Sequence, residues 1–362
     1  MTLIFAFGVA LLLSLFLTPA TAYFARKYKF VDDPKIHRHP AILHKKIIPR
    51  AGGIPVYLAL LISSLFFIPL SPKIIGIYLG GLILVCVGII DDRHDLGKSV
   101  KLLSQIVSAL IVVFFGVGIA FITNPLSFIL TMPGAEVIRL DTIRIVFNFF
   151  GEHSILILAD LFAVLWIVWV INMVNFSSGV DGQMPGIVLI TLLVLFIASL
   201  RFGATDPSQL VVSKLAAAGI GATLGFLFFN FYPARIFPGD SGSYFLGYLV
   251  AVIAILSGAK VGTAILVMAV PLVDGVFTVI RRITMKKSPF LGDRSHLQHK
   301  LLDLGLTQRQ VALFYWGLCA ILGAVALSLN SRGKSFALLV IAVIILGGLL
   351  WLNSNLPQKG QK

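Results

Sequence analysis

The chain has 362 residues, 58% of them hydrophobic, with a mean hydropathy of +0.99 and a formal net charge of +14. Only 12% are charged, about half the share of a soluble globular protein, which excludes that class. The surplus of lysine and arginine reads as affinity for a membrane's cytoplasmic leaflet and for phosphate. No recognition motif for DNA or RNA accompanies it, so nucleic acid is not an expected partner.

Apolar runs of about 18 residues recur from end to end, the mark of an all-α, polytopic membrane protein. About eleven spans are expected, near 3–24, 54–70, 74–90, 102–123, 155–172, 185–200, 208–229, 243–257, 261–280, 310–329 and 335–352. The first run lacks a charged leader region and a small-residue cleavage site, so it is expected to be a retained helix. No internal repeat or low-complexity linker divides the chain, and residues 1–362 read as one membrane-embedded domain. Cys86 and Cys319 both fall within spans and offer neither a disulfide framework nor a metal-site spacing.

Between spans 1 and 2 lie Arg26, Lys27, Lys29, Lys35, Arg38, Lys45, Lys46 and Arg50; between spans 9 and 10 lie Arg281, Arg282, Lys286, Lys287, Arg294, Lys300 and Arg309. Loops of the other parity are poor in cations. The positive-inside rule therefore predicts an external N-terminus and a cytoplasmic C-terminus.

The first cytoplasmic loop ends Pro49-Arg-Ala-Gly-Gly53, where two glycines permit close backbone approach and leave amides free for phosphate oxygens. Span 3 ends in Gly88-Ile-Ile-Asp-Asp-Arg-His-Asp-Leu96. A carboxylate at the bilayer centre costs about 2.5–3.5 kcal/mol, so Asp91, Asp92 and Asp95 belong at the interface. On a continuing helix Asp91 and Asp95 share a face and repel, which a divalent cation would relieve. Outside, Val137–Val146 alternates enough to predict a short hairpin. Span 5 runs into Asn172-Met-Val-Asn-Phe-Ser-Ser-Gly-Val-Asp-Gly182, either a helix C-cap or a polar cluster. Span 7 leads to Asn230, several aromatics and Phe237-Pro-Gly-Asp-Ser-Gly242. These rings make a membrane belt or stack on a base, and the glycines hold Asp240 on a tight turn suited to a hard cation. Asp274 lies within span 9, as a site residue or as the partner of a basic neighbour. In the last cytoplasmic loop His296 and His299 share a helical face beside Arg294.

Polar or charged clusters thus occupy all five cytoplasmic loops. Together they predict one composite site at that face, suited to a nucleotide-linked substrate whose phosphates are bridged by Mg²⁺.

In those motifs the chain resembles the polyprenyl-phosphate N-acetylhexosamine-1-phosphate transferases. The resemblance rests on Pro49–Gly53, Asp91–Asp95, the block of Asn172, Asn175 and Asp181-Gly182, Phe237–Gly242, and Asp293-Arg-Ser-His-Leu-Gln-His299. It implies an enzyme that moves a sugar 1-phosphate from a UDP-amino sugar to a polyprenyl phosphate, releasing UMP. The resemblance further implies that Asp91 and Asp92 engage the lipid phosphate and organise the metal. It implies that Asp240, with Asp92, would ligate Mg²⁺ (or Mn²⁺). Lys45, Asn175, Asp181, Asn230 and Phe237 would by the same resemblance line the nucleotide side, with Asn172 in the same substrate-binding block, and Arg294, His296 and His299 would take the donor's phosphates and sugar.

The Pro-Arg-x-Gly-Gly and Asp-Arg-x-His-Leu-x-His endings resemble the branch that starts lipopolysaccharide O-antigen, teichoic acid and related cell-wall glycans. They point to UDP-N-acetylglucosamine and undecaprenyl phosphate. The branch acting as phospho-N-acetylmuramoyl-pentapeptide transferase is the alternative. Ser178 stands where the family usually has aspartate and Gln298 where it has histidine, which leaves donor-sugar identity open. Rivals of other classes are a secondary transporter, whose carboxylates belong near the midplane, and a non-catalytic lipid-binding scaffold. The expected setting is a bacterial inner membrane with the site facing the cytoplasm. A homodimer is compatible with the sequence.

Overall fold

The computed structural model describes residues 1–35, 43–124, 137–148, 152–201, 206–258, 261–286 and 296–355. Among them are thirteen helices: α1 (Thr2–Lys27), α2 (Gly53–Phe67), α3 (Pro72–His94), α4 (Lys98–Phe114), α5 (Ile157–Phe176), α6 (Gln183–Leu200), α7 (Ser208–Asn230), α8 (Gly239–Leu256), α9 (Val261–Val267), α10 (Ala269–Thr284), α11 (Leu297–Asp303), α12 (Gln308–Ser328) and α13 (Ser331–Asn355). Eight are long and apolar enough to cross a membrane, and the pair α9–α10 makes a ninth candidate. The protein is an all-α, polytopic membrane protein. That is the expected class, because lipid forces every backbone polar group to be satisfied within the chain.

Helix α8 is the axis of the bundle. Its residues Ser241 through Ile255 are all buried, packed among α2, α3, α5 and α6. At the other extreme only 6% of the best α13 window is buried, so α13 presents its apolar surface outward. Between these limits, α1 is held against α7 by small residues. Ala6, Ala10, Ser14 and Thr18 recur every fourth position and are wholly buried. Opposite them Gly221 and Gly225 leave no room for a Cβ, which would strike the backbone of Phe7 and the side chain of Ser14. Close backbone approach of this kind drives helix association where lipid removes the hydrophobic gain. Ser14 Oγ adds a 2.7 Å hydrogen bond to the Ala222 carbonyl.

Several expected elements are displaced for identifiable reasons. The span expected over 54–70 ends at Phe67, because Pro69 forces Ile68 into extended backbone (φ −120°, ψ 126°). That expected over 102–123 ends at Phe114, and the chain turns at Gly116 with φ +91°. The predicted hairpin within 137–146 does not form. Val137–Arg139 pairs antiparallel with Phe121–Thr123, and Arg144–Asn148 pairs with Glu152–Leu156. Span 9 is broken: α9 and α10 meet at Met268 with an 81° bend. Pro271 lacks the N–H that would bond the Val267 carbonyl, which accounts for the break. Span 8 begins at Gly239, earlier than expected, so the anticipated turn around Asp240 is the first turn of α8.

The α1–α7 seam gives a stability test. Gly225→Leu is expected to destabilise the protein by about 1–3 kcal/mol through overpacking. Gly347→Leu on α13, where a Cβ meets nothing within 4 Å, should leave the midpoint unchanged. Thermal unfolding of both variants in detergent makes the comparison.

Candidate active site where four loops converge

Four of the five polar loops meet over one cavity of about 510 Å³ at one end of the bundle. His44 and Arg50 come from the segment before α2, and Asp91, Asp92, Asp95 and Lys101 from the α3–α4 junction. Ser178, Gly179 and Asp181 come from the α5–α6 loop, and Phe237, Pro238, Gly239 and Asp240 from the approach to α8.

The floor is built by backbone. Phe237 N–H bonds the Pro49 carbonyl at 2.8 Å and Gly52 N–H bonds the Phe237 carbonyl at 3.2 Å, so two loops distant in sequence zip together. A Cβ at Gly53 or at Gly88 would overlap the Ser241 backbone, and one at Gly239 would overlap the Asp92 carboxylate. These glycines do permit close approach, but the partner is the protein's own chain. Gly52 N–H is spent on Phe237, and Gly53 N–H lies 3.4 Å from Ser241 Oγ, so neither is held in reserve for phosphate as expected.

The adjacent aspartates at the end of α3 have separate partners. Asp92 Oδ1 accepts Asp240 N–H at 2.8 Å, and Oδ2 accepts Ser241 Oγ–H at 2.9 Å. Its carboxylate therefore caps the N-terminus of α8, where unsatisfied N–H groups and the helix dipole favour negative charge. Arg50 Nε lies 3.6 Å from the same Oδ1. Asp92 was expected among the metal ligands; in the structure the α8 terminus engages both its oxygens. Burial alone would lower the Arg50 pKa, but the carboxylates of Asp92, Asp240, Asp32 and Asp91 outweigh it and hold this guanidinium above the ordinary arginine value.

Asp91 turns toward α4. Its Oδ2 lies 2.8 Å from Lys101 Nζ and its Oδ1 accepts Leu96 N–H at 2.7 Å. Asp240 Oδ2 reaches the same Nζ at 3.2 Å and accepts Tyr244 O–H at 3.3 Å. Asp95, in a left-handed conformation at the C-cap of α3, stands exposed 3.5 Å from that ammonium. Three carboxylate oxygens thus converge on one cationic point, the two closer ones from the largely buried Asp91 and Asp240. No group of three or more His, Cys, Asp or Glu side chains able to hold a metal occurs among the described residues.

The remaining expected residues divide between cavity and scaffold. Phe237 lines the cavity, its ring edge-on to His44 with centroids 5.1 Å apart. Asp181 also lines it, accepting Ala234 N–H at 2.9 Å. Burial pushes the Asp181 carboxyl above its ordinary value against the pull of that N–H and of His44. The asparagines serve the frame. Asn172 donates to Gln105 Oε1 at 2.6 Å and to the Val168 carbonyl, Asn175 accepts Ser243 Oγ–H at 2.9 Å, and Asn230 joins Gly182 N–H to the Ile236 carbonyl. Lys45 is exposed beside His44 and does not line the cavity. His296 and His299 are buried at the start of α11, which abuts Gly179 through Gln298 and His299. Arg294 lies outside the described residues.

Sequence reasoning missed Lys101, Arg50 and His44 as site residues. Arg50 and His44 carried a signal, being fixed to the Pro49–Gly53 segment. Lys101 carried none beyond lying on a helix that follows the aspartates.

The profile described as glycosyl transferase family 4 matches residues 74–258, a stretch that holds Asp91, Asp92 and Asp240. The chain is 31% identical over 352 residues to the probable undecaprenyl-phosphate N-acetylglucosaminyl 1-phosphate transferase of Bacillus subtilis, covering 95% of this chain and 89% of that one. It is 29% identical over 338 residues to the decaprenyl-phosphate N-acetylglucosaminephosphotransferase of Mycobacterium leprae (84% and 79% covered). It is 28% identical over 346 residues to the phospho-N-acetylmuramoyl-pentapeptide-transferase of Bacillus cytotoxicus (87% and 95% covered). The profile spans half of the chain, including its paired carboxylates, and the Bacillus subtilis relative aligns with 95% of it: the chain belongs to glycosyl transferase family 4.

Proposed function

We propose that this chain transfers N-acetylglucosamine 1-phosphate from UDP-N-acetylglucosamine to a polyprenyl phosphate, releasing UMP and a polyprenyl-diphosphate sugar that starts a cell-surface glycan. The observation that carries this reading is the convergence of Asp91 and Asp240 on Lys101, with Arg50 nearby, at the head of an open cavity. The names of the relatives support the acceptor and the sugar. The carboxylates lie at helix ends, in the last turns of α3 and the first turn of α8, where a transporter reading would put them near the midplane.

The topology that goes with this function has about eleven spans, an external N-terminus and a site facing the cytoplasm of the inner membrane. The cation-rich segments before α2 and after α10 support that orientation.

In the reaction an oxygen of the lipid phosphate attacks the donor's sugar-bearing phosphorus. A new P–O bond forms there, the bridging P–O bond to the nucleotide breaks, and UMP leaves with the electron pair. A phosphate monoester has a second pKa near 6, so near neutrality the nucleophile is already largely a dianion and needs no strong base. The barrier is instead the meeting of two anions. Arg50 and Lys101 supply positive charge, and Asp91 positions the attacking group through Lys101. Direct attack follows, in preference to a covalent aspartyl phosphate. Asp91 and Asp240 suit a hard divalent cation. Mg²⁺ commonly takes one or two carboxylates and fills its remaining positions with water and substrate phosphates. When bound it supplies charge neutralisation across the two phosphates.

A panel of UDP-sugars assayed for UMP release should favour UDP-N-acetylglucosamine. Preference for the muramyl-pentapeptide donor would transfer the chain to the other branch.

Asp240 on the first turn of α8 and Asp92, the α3 residue that caps that turn, should separate in mutagenesis. Asp240→Asn is expected to keep the unfolding midpoint while turnover at saturating Mg²⁺ falls about 100-fold or more. Asp92→Asn should lower the midpoint by unpairing the α8 terminus, at about 1–3 kcal/mol. Activity against Mg²⁺ concentration, beside unfolding in detergent, checks both; near-normal turnover with an unshifted Mg²⁺ curve would remove Asp240 from the metal site.

A further inference from the structure

Beside the carboxylate cavity, a second pocket of about 210 Å³ opens between α1, α3 and the chain entering α2. Thr21, Phe24 and Tyr28 line it from α1 and its C-cap, Phe30 and Ala51 from the segments after α1 and before α2, and Ile89 from α3. No charged side chain is among its described lining residues. Phe24 and Tyr28 are 51% and 56% exposed, so the pocket opens at the bundle surface. Two of its rings carry cations. Lys27 Nζ lies 5.8 Å from the centre of the Tyr28 ring, and Arg93 Cζ lies 5.1 Å from that of Phe30. An apolar hollow thus has positive charge at its edge, the pattern that suits an aliphatic tail below an anionic head.

The two hollows are separate, and no described residue lines both. The chain between them gives Asp32 and Arg50 to the polar cavity, and Phe30 and Ala51 to the apolar pocket. The Phe30 carbonyl accepts Arg50 N–H at 2.9 Å, and Val31 and Asp32 pair with Pro49 and Ile48. Whatever fills the pocket therefore packs against the short strand pair that holds Arg50 beside Asp92.

We propose that this pocket binds an anionic phospholipid of the surrounding bilayer, with an acyl chain among the rings and the phosphate at Lys27 and Arg93, and that the bound lipid braces the Phe30–Arg50 segment. A zwitterionic lipid offers the same chain, but its headgroup brings an ammonium as well as a phosphate to these cations. The acceptor of the transfer reaction is also a phosphate with an apolar tail. Its phosphate has to reach Lys101, Asp91 and Asp240, and these line the polar cavity alone. The lipid site stands apart from the transferase reading, because each readout below is binding or unfolding.

Unfolding midpoints of the full chain in detergent, with phosphatidylglycerol or phosphatidylcholine added, test the site. Phosphatidylglycerol is expected to raise the wild-type midpoint, as a ligand of the native state does, and phosphatidylcholine to leave it in place. Thr21→Trp fills the pocket from α1 and should abolish the rise. Lys27→Gln removes one exposed cation and should raise the phosphatidylglycerol concentration at half-effect about 5-fold. Being a surface change, it keeps the test open should Thr21→Trp fail to fold. Native mass spectrometry should show one phosphatidylglycerol retained in the presence of excess polyprenyl phosphate. No wild-type rise, an equal rise with phosphatidylcholine, a full rise in Thr21→Trp or an unchanged half-effect in Lys27→Gln would each overturn the proposal. So would one-for-one displacement by polyprenyl phosphate, which would give the pocket to the acceptor.

Discussion

The junction on which the site depends is the carboxylate of Asp92 against the N-terminus of α8. A helix start buried in a bundle leaves amide groups that must find partners, and leaving them unpaired costs about 1–3 kcal/mol each. Here one side chain from α3 bonds Asp240 N–H and Ser241 Oγ–H together. The bond requires α3, α8 and the chain before α2 to touch at backbone distance. Glycines at 53, 88 and 239 make that contact possible. The cavity floor is referenced to this point: Arg50 meets the same carboxylate, and the segment at Phe237 that leads into α8 is zipped to Pro49 and Gly52.

A membrane span is an unusually readable object, because bilayer thickness and backbone satisfaction leave helices as the only option for apolar runs of this length. The helical class and the approximate position of every run follow from those two constraints. What hydropathy misses is local punctuation. Pro69 and Gly116 end α2 and α4 inside apolar sequence, and Pro271 splits α9 from α10 where composition shows an unbroken run. Alternation in Val137–Val146 identified strand-forming residues without their partners, which come from Phe121–Thr123 and Glu152–Leu156.

The site was legible as an inventory and illegible as a division of labour. Motif residues from four loops reach one cavity, as the one-sided clustering of charge required. Yet Asn172, Asn175 and Asn230 spend their amides on Gln105, Ser243 and Gly182, holding helices and loops together. Composition cannot separate a polar side chain that meets substrate from one that satisfies a buried backbone group, since both needs select the same residue types. Lys101 is the converse case. An ordinary lysine near a helix start becomes the shared counter-ion of Asp91 and Asp240 through a contact spanning 139 residues.

Why two consecutive aspartates end α3 follows from helix geometry. Neighbouring residues on an α-helix point about 100° apart, so a pair at one terminus can serve two walls at once. Asp92 faces the first turn of α8, and Asp91 faces α4 and its lysine. Asp240 belongs to the very turn that Asp92 caps. The separation of Asp91 from Asp240 is therefore set by two packed helices bonded to each other, with no loop in between. A reactive constellation must be held within about 0.5 Å of its working geometry, and side chains on rigid elements achieve this where loop side chains do not. The buried carboxylate does its work as the strut that keeps the other two aimed at the same point.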